Sequence, residues 1–219
     1  MKDLLQGKNA LYGRFAVTIK LNELNYLDTA KFYPDKTPYD KVAHYAVFGG
    51  SPFVNQALRP TATLRENIVS TILNPVSAVY LYASQLLLSD YSVKINAERI
   101  FAVIGNGKKR YSEIEDKLDV KKTGNLAKQM KPLRDLEIIS RNYPINKLND
   151  SKKSTFEIND NLLRFYFTFI YKNASALQVL GAEAFYDEYV APTLTDFISR
   201  RFEGICRDYF SLQVRSGKL

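Results

Sequence analysis

Residues 96–158 read NAERIFAVIGNGKKRYSEIEDKLDVKKTGNLAKQMKPLRDLEIISRNYPINKLNDSKKSTFEI, and this stretch decides the fold. Its first part carries apolar residues at helical spacing and then stops at Gly105-Asn106-Gly107, which terminates a helix. That first stripe consists of Ala97, Ile100, Phe101 and Ile104. The stretch therefore opens with an amphipathic helix.

Two further helices follow in the same stretch. Ser112 precedes Glu115 in a Ser-x-x-Glu pattern, which predicts a capping box, and Ile114 and Leu118 then lie one turn apart. A short turn at 119–123 leads to a helix that Thr123 or Asn125 can cap, and this helix buries Leu126, Met130 and Leu133. Pro132 within it should kink or shorten it.

Strand-like sequence closes the stretch, first at 138–144 and then at Thr155–Ile158, with the polar loop 146–154 between them. The order helix, helix, turn, helix and hairpin is that of a winged helix-turn-helix with a β-hairpin wing. With its apolar stripe turned inward, the third helix presents a basic face, and lysines of the loop extend this face. We expect these residues to contact nucleic acid: Lys121, Lys122, Asn125, Lys128, Gln129, Lys131, Arg134, Lys152 and Lys153.

Asn125 and Gln129 are four residues apart, and their amides can read an adenine edge in DNA. The positive charge is concentrated here, since residues 105–153 carry 13 basic and 7 acidic side chains, a net +6 of the total +8. A solvated basic face is the alternative reading of this charge. A winged helix that binds protein or only spaces domains is the alternative to DNA contact.

The flanking regions predict a mainly α protein. Residues 1–90 begin with an alternating strand at 11–19 and continue as helices, one ending at Gly49-Gly50-Ser51-Pro52, one capped by Thr63 and one beginning at Pro75. Residues 161–219 follow a capping stretch at 159–161 and carry an aromatic helix, a break at Gly181 and a last amphipathic helix. The apolar stripe of this last helix is Leu194, Ile198, Phe202, Ile205 and Tyr209. No later sequence covers this stripe, which suggests a homo-oligomer or a missing remainder of the protein.

The residue inventory argues against catalysis and metal binding by this chain. Cys206 and His44 are each the only residue of their kind, which excludes thiolate clusters and His-based metal sites. A lone histidine is usually structural. Phosphate-loop, serine-hydrolase and zinc-protease motifs are lacking, and we expect no catalytic residues, no metal and no cofactor. No membrane-spanning run and no signal peptide occur, so we expect a cytoplasmic protein with no membrane partner.

Five short motifs, in order, resemble the C-terminal half of archaeal-type AAA-like ATPases. They are 11–14 (LYGR), 45–53 (YAVFGGSPF), the winged helix, 156–165 (FEINDNLLRF) and 201–203 (RFE). The resemblance implies that residues 1–90 hold the end of an ATPase core and a helical lid. It also implies that 91–160 form the winged helix and that 161–219 open a truncated restriction-endonuclease-like domain.

The resemblance implies roles for two residues. Arg14 would lie in the last strand region of the ATPase core and sense nucleotide, although an Arg held in an ordinary turn is an equal alternative. Glu203 would match the first acidic position of the nuclease-like fold, but only Asp208 follows it and no Asp/Glu-x-Lys occurs. ATP and Mg²⁺ are thus expected for a full-length relative rather than for this chain. We expect a non-catalytic fragment or split-gene product that contacts DNA and an ATPase core or partner subunit.

Overall fold

The computed structural model describes residues 19, 21–89, 97–107, 109–119, 125–143 and 153–218. These residues are mainly helical with one two-stranded antiparallel hairpin. The elements in chain order are α1 Tyr26–Thr29, α2 Pro38–Phe48, α3 Pro52–Ala57, α4 Leu64–Ser70, α5 Ala78–Ser89, α6 Ala97–Gly105, α7 Tyr111–Leu118, α8 Asn125–Asp135, β1 Ile139–Asn142, β2 Thr155–Ile158, α9 Asn161–Phe165, α10 Ala174–Phe185 and α11 Ala191–Arg215.

The helices before residue 90 begin and end largely where the sequence predicts. Helix α2 stops at the Gly49–Gly50 turn, where Gly49 has a φ of 72°. Thr63 caps α4, since its hydroxyl accepts from the Glu66 N–H and the Glu66 carboxylate accepts from the Thr63 N–H. The predicted strand at 11–19 lies outside the described residues apart from Ile19, which has no regular structure.

The predicted helix start at Pro75 is wrong. Pro75 and Val76 form a turn in which Val76 is 84% exposed, and α5 begins only at Ala78. The cap is Ser77, whose hydroxyl accepts a hydrogen bond from the Tyr80 N–H at 3.0 Å. The Ser77 side chain thus satisfies a backbone N–H group of the first turn, and the helix starts three residues after Pro75.

The hairpin packs on a three-helix core. In β1–β2, Ile139 pairs with Ile158 and Ser140 with Glu157, so that apolar residues face the helices and polar residues face away. The inward residues of the three helices are all 6% exposed or less: Ile100, Phe101, Ile104, Ile114, Leu118, Leu126, Met130 and Leu133. These predicted core residues are confirmed.

The predicted capping box at Ser112 is wrong. Helix α7 begins at Tyr111, and the Glu113 carboxylate accepts hydrogen bonds from the N–H groups of Lys109 and Arg110, both at 3.0 Å. Arg110 also forms an isolated β-bridge to Thr155. This tertiary bridge fixes the chain just before α7, and the helix starts two residues earlier than the Ser112 motif predicts.

Helix α8 runs through Pro132 and ends at Asp135. The chain then turns back through Glu137 in the left-handed region (φ 59°), and the Ile138 N–H donates to the Leu133 carbonyl at 2.9 Å. Helix termination therefore falls three residues after the proline and comes from this αL cap.

The C-terminal region begins where Asp160 caps α9 by accepting from the Leu163 N–H at 2.8 Å, as predicted. The following π-helical turn, Tyr166–Ile170, completes an aromatic helix that is core. Gly181 breaks α10 with a φ of 74°. In α11 the residues Leu194, Ile198 and Ile205 are buried, whereas Phe202 and Tyr209 of the same predicted stripe are 49% and 46% exposed, in keeping with an apolar face that is partly uncovered.

Helices from distant parts of the sequence meet around α2. It packs against α9 and against α11, and the Asn161 amide donates to the Tyr45 carbonyl at 2.7 Å. The segment before α1 is also held here, since the Leu24 N–H donates to the Gly50 carbonyl at 3.1 Å. This junction carries α11 to the outer face of the hairpin.

Candidate nucleic-acid interface

The outward face of α8 is the surface on which the sequence places nucleic acid. Helix α8 packs against α6 and β1 through its buried stripe of Leu126, Met130 and Leu133. A helix of 3.6 residues per turn that buries positions 126, 130 and 133 turns positions 128, 131 and 135 away from its support. The orientation of the helix therefore follows from its apolar spacing.

Three cations form a row that begins on this face and continues past its edge, which we call the basic ridge: Lys128, Lys131 and Arg134. All three side chains are exposed. They are spaced by three residues, which places neighbours in the row roughly 5–6 Å apart at Cβ. A row of this kind can follow a line of phosphates.

One of the two predicted base-reading amides, that of Gln129, lies along one flank of the ridge. Gln129 is half-buried, on the side of the helix opposite Arg134. Asn125 is the first residue of α8, and its side chain lies outside the described residues. The reading of an adenine edge by these two amides stays a prediction.

Asp135 is a member of this face that sequence reasoning missed. It is exposed and lies one turn beyond Lys131. A carboxylate beside the ridge lowers the local positive potential and disfavours a phosphate at that end. The i, i+4 spacing to Lys131 was the signal that could have identified it.

The hairpin adds one exposed cation at its loop end, Lys153. Arg141, which the sequence analysis did not single out, lies nearby: its Nε donates to the Ser154 hydroxyl at 2.7 Å. Its guanidinium also lies 5.1 Å from the Tyr143 ring centre and 5.5 Å from that of Phe156. The signal in the sequence was an arginine with aromatic residues near it, Tyr143 two positions later and Phe156 on the returning strand.

Four predicted site residues lie outside the described residues: Arg14, Lys121, Lys122 and Lys152. The structure therefore brings together Lys128, Lys131 and Arg134, with Gln129 at their flank.

A group of half-buried ion pairs holds strand β2 of the hairpin. The Lys109 ammonium lies 3.3 Å from one Glu157 carboxylate oxygen, and an Arg164 guanidinium nitrogen lies 3.8 Å from the other. Burial raises the pKa of Glu157, but Arg164 and Lys109 outweigh burial and hold that pKa below its usual value. The Glu157 carboxylate is thus ionised at neutral pH and fixes β2 to the chain around it.

Arg164 is the most enclosed cation of this group. Burial, together with the nearby charge of Arg201, lowers the pKa of Arg164 to about 10, and it stays protonated at pH 7. The Arg164 guanidinium also donates to the Ile158 carbonyl at 2.6 Å, which anchors the end of β2.

The groups considered for catalysis and metal binding are dispersed. His44 is fully buried, and its Nδ1 lies 2.7 Å from the Asp40 carbonyl, as a structural histidine would. Glu203 is exposed and lies 3.8 Å from Arg207. Within the described ranges no three His, Cys, Asp or Glu side chains are grouped to hold a metal ion. In the same ranges no helix combines the length and apolarity needed to span a membrane.

Comparison with known proteins gives one curated relative. An uncharacterized protein of Methanocaldococcus jannaschii is 24% identical over 218 residues, which cover 99% of this chain and 48% of the relative. No protein-family model matches the sequence, and no solved structure matches it significantly. The chain thus spans about half the length of the curated relative that it matches.

Proposed function

We propose that residues 97–158 form a winged helix-turn-helix that binds DNA through the basic ridge of α8 and the hairpin. One observation carries this proposal: Lys128 and Lys131 are exposed on the face of α8 opposite its buried stripe, and Arg134 is exposed next to them in the same row. Had other parts of the chain covered this face, a duplex could not reach it.

The arrangement of helices and strands supports the winged-helix part of the proposal. Three helices precede a hairpin, and the segment between the first two helices pairs with the returning strand. The Phe156 N–H donates to the Lys109 carbonyl at 2.8 Å beside the Arg110–Thr155 bridge. A short strand in that position, next to β2, is a feature of winged helices.

The charges favour sequence-independent binding. Lysine and arginine neutralise phosphates and release counterions, so that each contact adds about 0.9 to the slope of log affinity against log salt. The basic ridge and Lys153 supply about four such contacts, which corresponds to a slope near −3.6. Sequence preference would depend on Gln129 and Asn125, which flank the ridge.

Reversal of two ridge charges tests the proposal. The variant Lys128→Glu with Lys131→Glu should bind duplex DNA about 60-fold more weakly at 0.1 M salt, since each contact contributes close to a decade there. Its salt slope should be smaller by about 2. Fluorescence anisotropy across a salt series, with two unrelated duplex sequences, measures both quantities.

A matched control uses two exposed lysines away from α8. Lys172→Glu with Lys218→Glu changes the net charge equally and should leave the slope near its wild-type value. Equal losses in both variants would show a general charge effect and refute a DNA site on α8. An unchanged slope in the ridge variant would refute it too, and would favour a protein-binding or structural winged helix.

We further propose that this module works beside an ATPase core, as in the archaeal-type ATPases that its short motifs resemble. The relative that is about twice as long offers the test. The full-length relative should hydrolyse ATP in the presence of Mg²⁺. A purified, folded relative without ATPase activity would refute this second proposal and leave DNA binding by α8 untouched.

A further inference from the structure

A polar cleft lies between the outer face of the hairpin and one flank of α11. Its volume is about 250 Å³. From the hairpin side it is lined by Ser140, Asn142, Glu157 and Asn159, and from the helix by Arg200, Arg201, Gly204, Arg207 and Asp208. It lies across the hairpin from the three-helix core, and so away from the basic ridge.

Helical spacing explains why three arginines meet there. Positions 200, 201, 204, 207 and 208 fall on one side of a helix with 3.6 residues per turn, beside the buried stripe of Ile198 and Ile205. Arg200 and Arg207 are exposed, whereas Arg201 is half-buried. The arginines therefore converge from one helix onto one wall of the cleft.

Gly204 makes room for the central arginine. A Cβ atom at this position would lie 2.9 Å from the Arg201 Nη1 atom. Arg201 also retains a buried Nε with no hydrogen-bond partner among the described residues. The Arg201 guanidinium also lies 5.9 Å from the ring centre of Tyr45. Because Arg201 lines the cleft beside Gly204, its guanidinium is suited to bind an oxyanion there.

The three arginines of the cleft outnumber the two carboxylates of its lining, Glu157 and Asp208. Glu157 is engaged on its other side by Lys109 at 3.3 Å and by Arg164 at 3.8 Å. Arg207 lies 3.8 Å from the Glu203 carboxylate, but both side chains are exposed and such a pair is weak. Asp208 remains as the one carboxylate of the lining not held by these pairs.

We propose that this cleft binds a phosphate group, with Arg201 at its centre and Arg200 and Arg207 at its rim. Arginine forks bind phosphate oxygens in pairs, and the hydroxyl and amides of Ser140, Asn142 and Asn159 offer further donors. The phosphate can belong to a small molecule or to a nucleic-acid backbone that passes the hairpin. This site is separate from the basic ridge and does not depend on the function proposed for it.

The test uses inorganic phosphate as the probe and the full chain. Thermal unfolding is followed while sodium phosphate replaces sodium chloride at constant ionic strength. Phosphate should raise the Tm of the wild type. Arg200→Gln with Arg207→Gln should weaken the apparent phosphate affinity about tenfold or more, because two charge-assisted contacts are lost.

Two further variants distinguish a specific phosphate site from a general effect of positive charge. Gly204→Ala leaves the charge unchanged but displaces the Arg201 guanidinium, and it should also abolish the phosphate effect. Arg215→Gln with Lys218→Gln makes the same charge change on exposed residues at the end of the same helix and should keep the effect. An equal loss in this control would overturn the proposal.

A parallel measurement of duplex-DNA affinity for the same variants identifies the source of the phosphate. If the cleft variants weaken DNA binding while inorganic phosphate gives no shift, the phosphate is that of a nucleic-acid backbone. If phosphate stabilises the wild type and the DNA affinity is unchanged, a small molecule is the source. If neither the phosphate effect nor the DNA affinity depends on Arg200, Arg207 and Gly204, the proposal is wrong.

Discussion

The turn that ends α2 offers a sharp test of how the structure is held together. A Cβ atom added at Gly50 would lie 1.9 Å from the Leu24 carbonyl oxygen, and ordinary contact needs roughly 3.4 Å or more. The segment at Glu23 and Leu24 would have to move by about 1.5 Å. Gly50→Ala should therefore release this segment from the junction.

The loss can be worked out from the two hydrogen bonds that would break. The Leu24 N–H donates to the Gly50 carbonyl at 3.1 Å, and the Gly50 N–H donates to the Glu23 carboxylate at 3.4 Å. A neutral bond contributes about 1 kcal/mol net, and a long bond to a carboxyl group whose pKa burial raises to about 7 contributes about 1–2 kcal/mol. We expect a fall of about 2–3 kcal/mol in the free energy of unfolding, or a Tm lower by about 4–12 °C.

Urea unfolding measures this change, with Gly107→Ala as the control. Gly107 has a φ of 85° and open space around it, so that alanine there costs only backbone strain of about 1–2 kcal/mol. If Gly50→Ala destabilises the protein no more than Gly107→Ala does, the close approach of Leu24 is not part of the folded state.

Three further predictions follow from buried groups. Burial lowers the pKa of His44 below its usual 6.5, so the stability that its neutral imidazole contributes should be present above pH 6.5 and should fall as the pH drops through the folded pKa. NMR titration of the chain's only histidine measures this pKa, and a value at or above 6.5 would contradict the prediction. Phe165→Ala should cost about 3–5 kcal/mol because Phe165 is fully buried, whereas Phe210→Ala at 58% exposure should cost under about 1 kcal/mol, both by urea unfolding. Asp160→Ala removes the acceptor of the Leu163 N–H and should cost about 1–2 kcal/mol by the same assay, more than Asp160→Asn, which keeps a capping oxygen.

The elements that the sequence predicts well are those defined by local spacing. The stripes of α6 and α8 repeat at the helical period, and burying them is the main reason those helices form. Likewise Asp160 and Thr63 act within their own first turn. Such features need no knowledge of the rest of the chain.

The features that sequence reasoning missed depend on distant contacts. The start of α7 is set by the bridge between Arg110 and Thr155, which lie 45 positions apart.

The same reason explains the uneven prediction of the candidate sites. The basic ridge could be predicted because the apolar spacing of α8 itself shows which of its residues face away from the core. The arginine cleft could not, since Ser140 and Arg201 meet only through packing of the hairpin against α11. Motifs 45–53, 156–165 and 201–203 of the family resemblance adjoin one another at that junction. This gives them a shared structural role whether or not the resemblance extends to activity.

Mapping the bound duplex by NMR tests the central claim most directly. In a titration of the isotope-labelled chain with a short duplex at low salt, the account predicts that the largest backbone shift changes fall in α8 around Lys128, Lys131 and Arg134, with a smaller set near Lys153. Exposed residues of α10 should stay unchanged, and the changes should fade as salt is raised. Changes centred elsewhere, with α8 unaffected at saturation, would contradict DNA binding through the basic ridge.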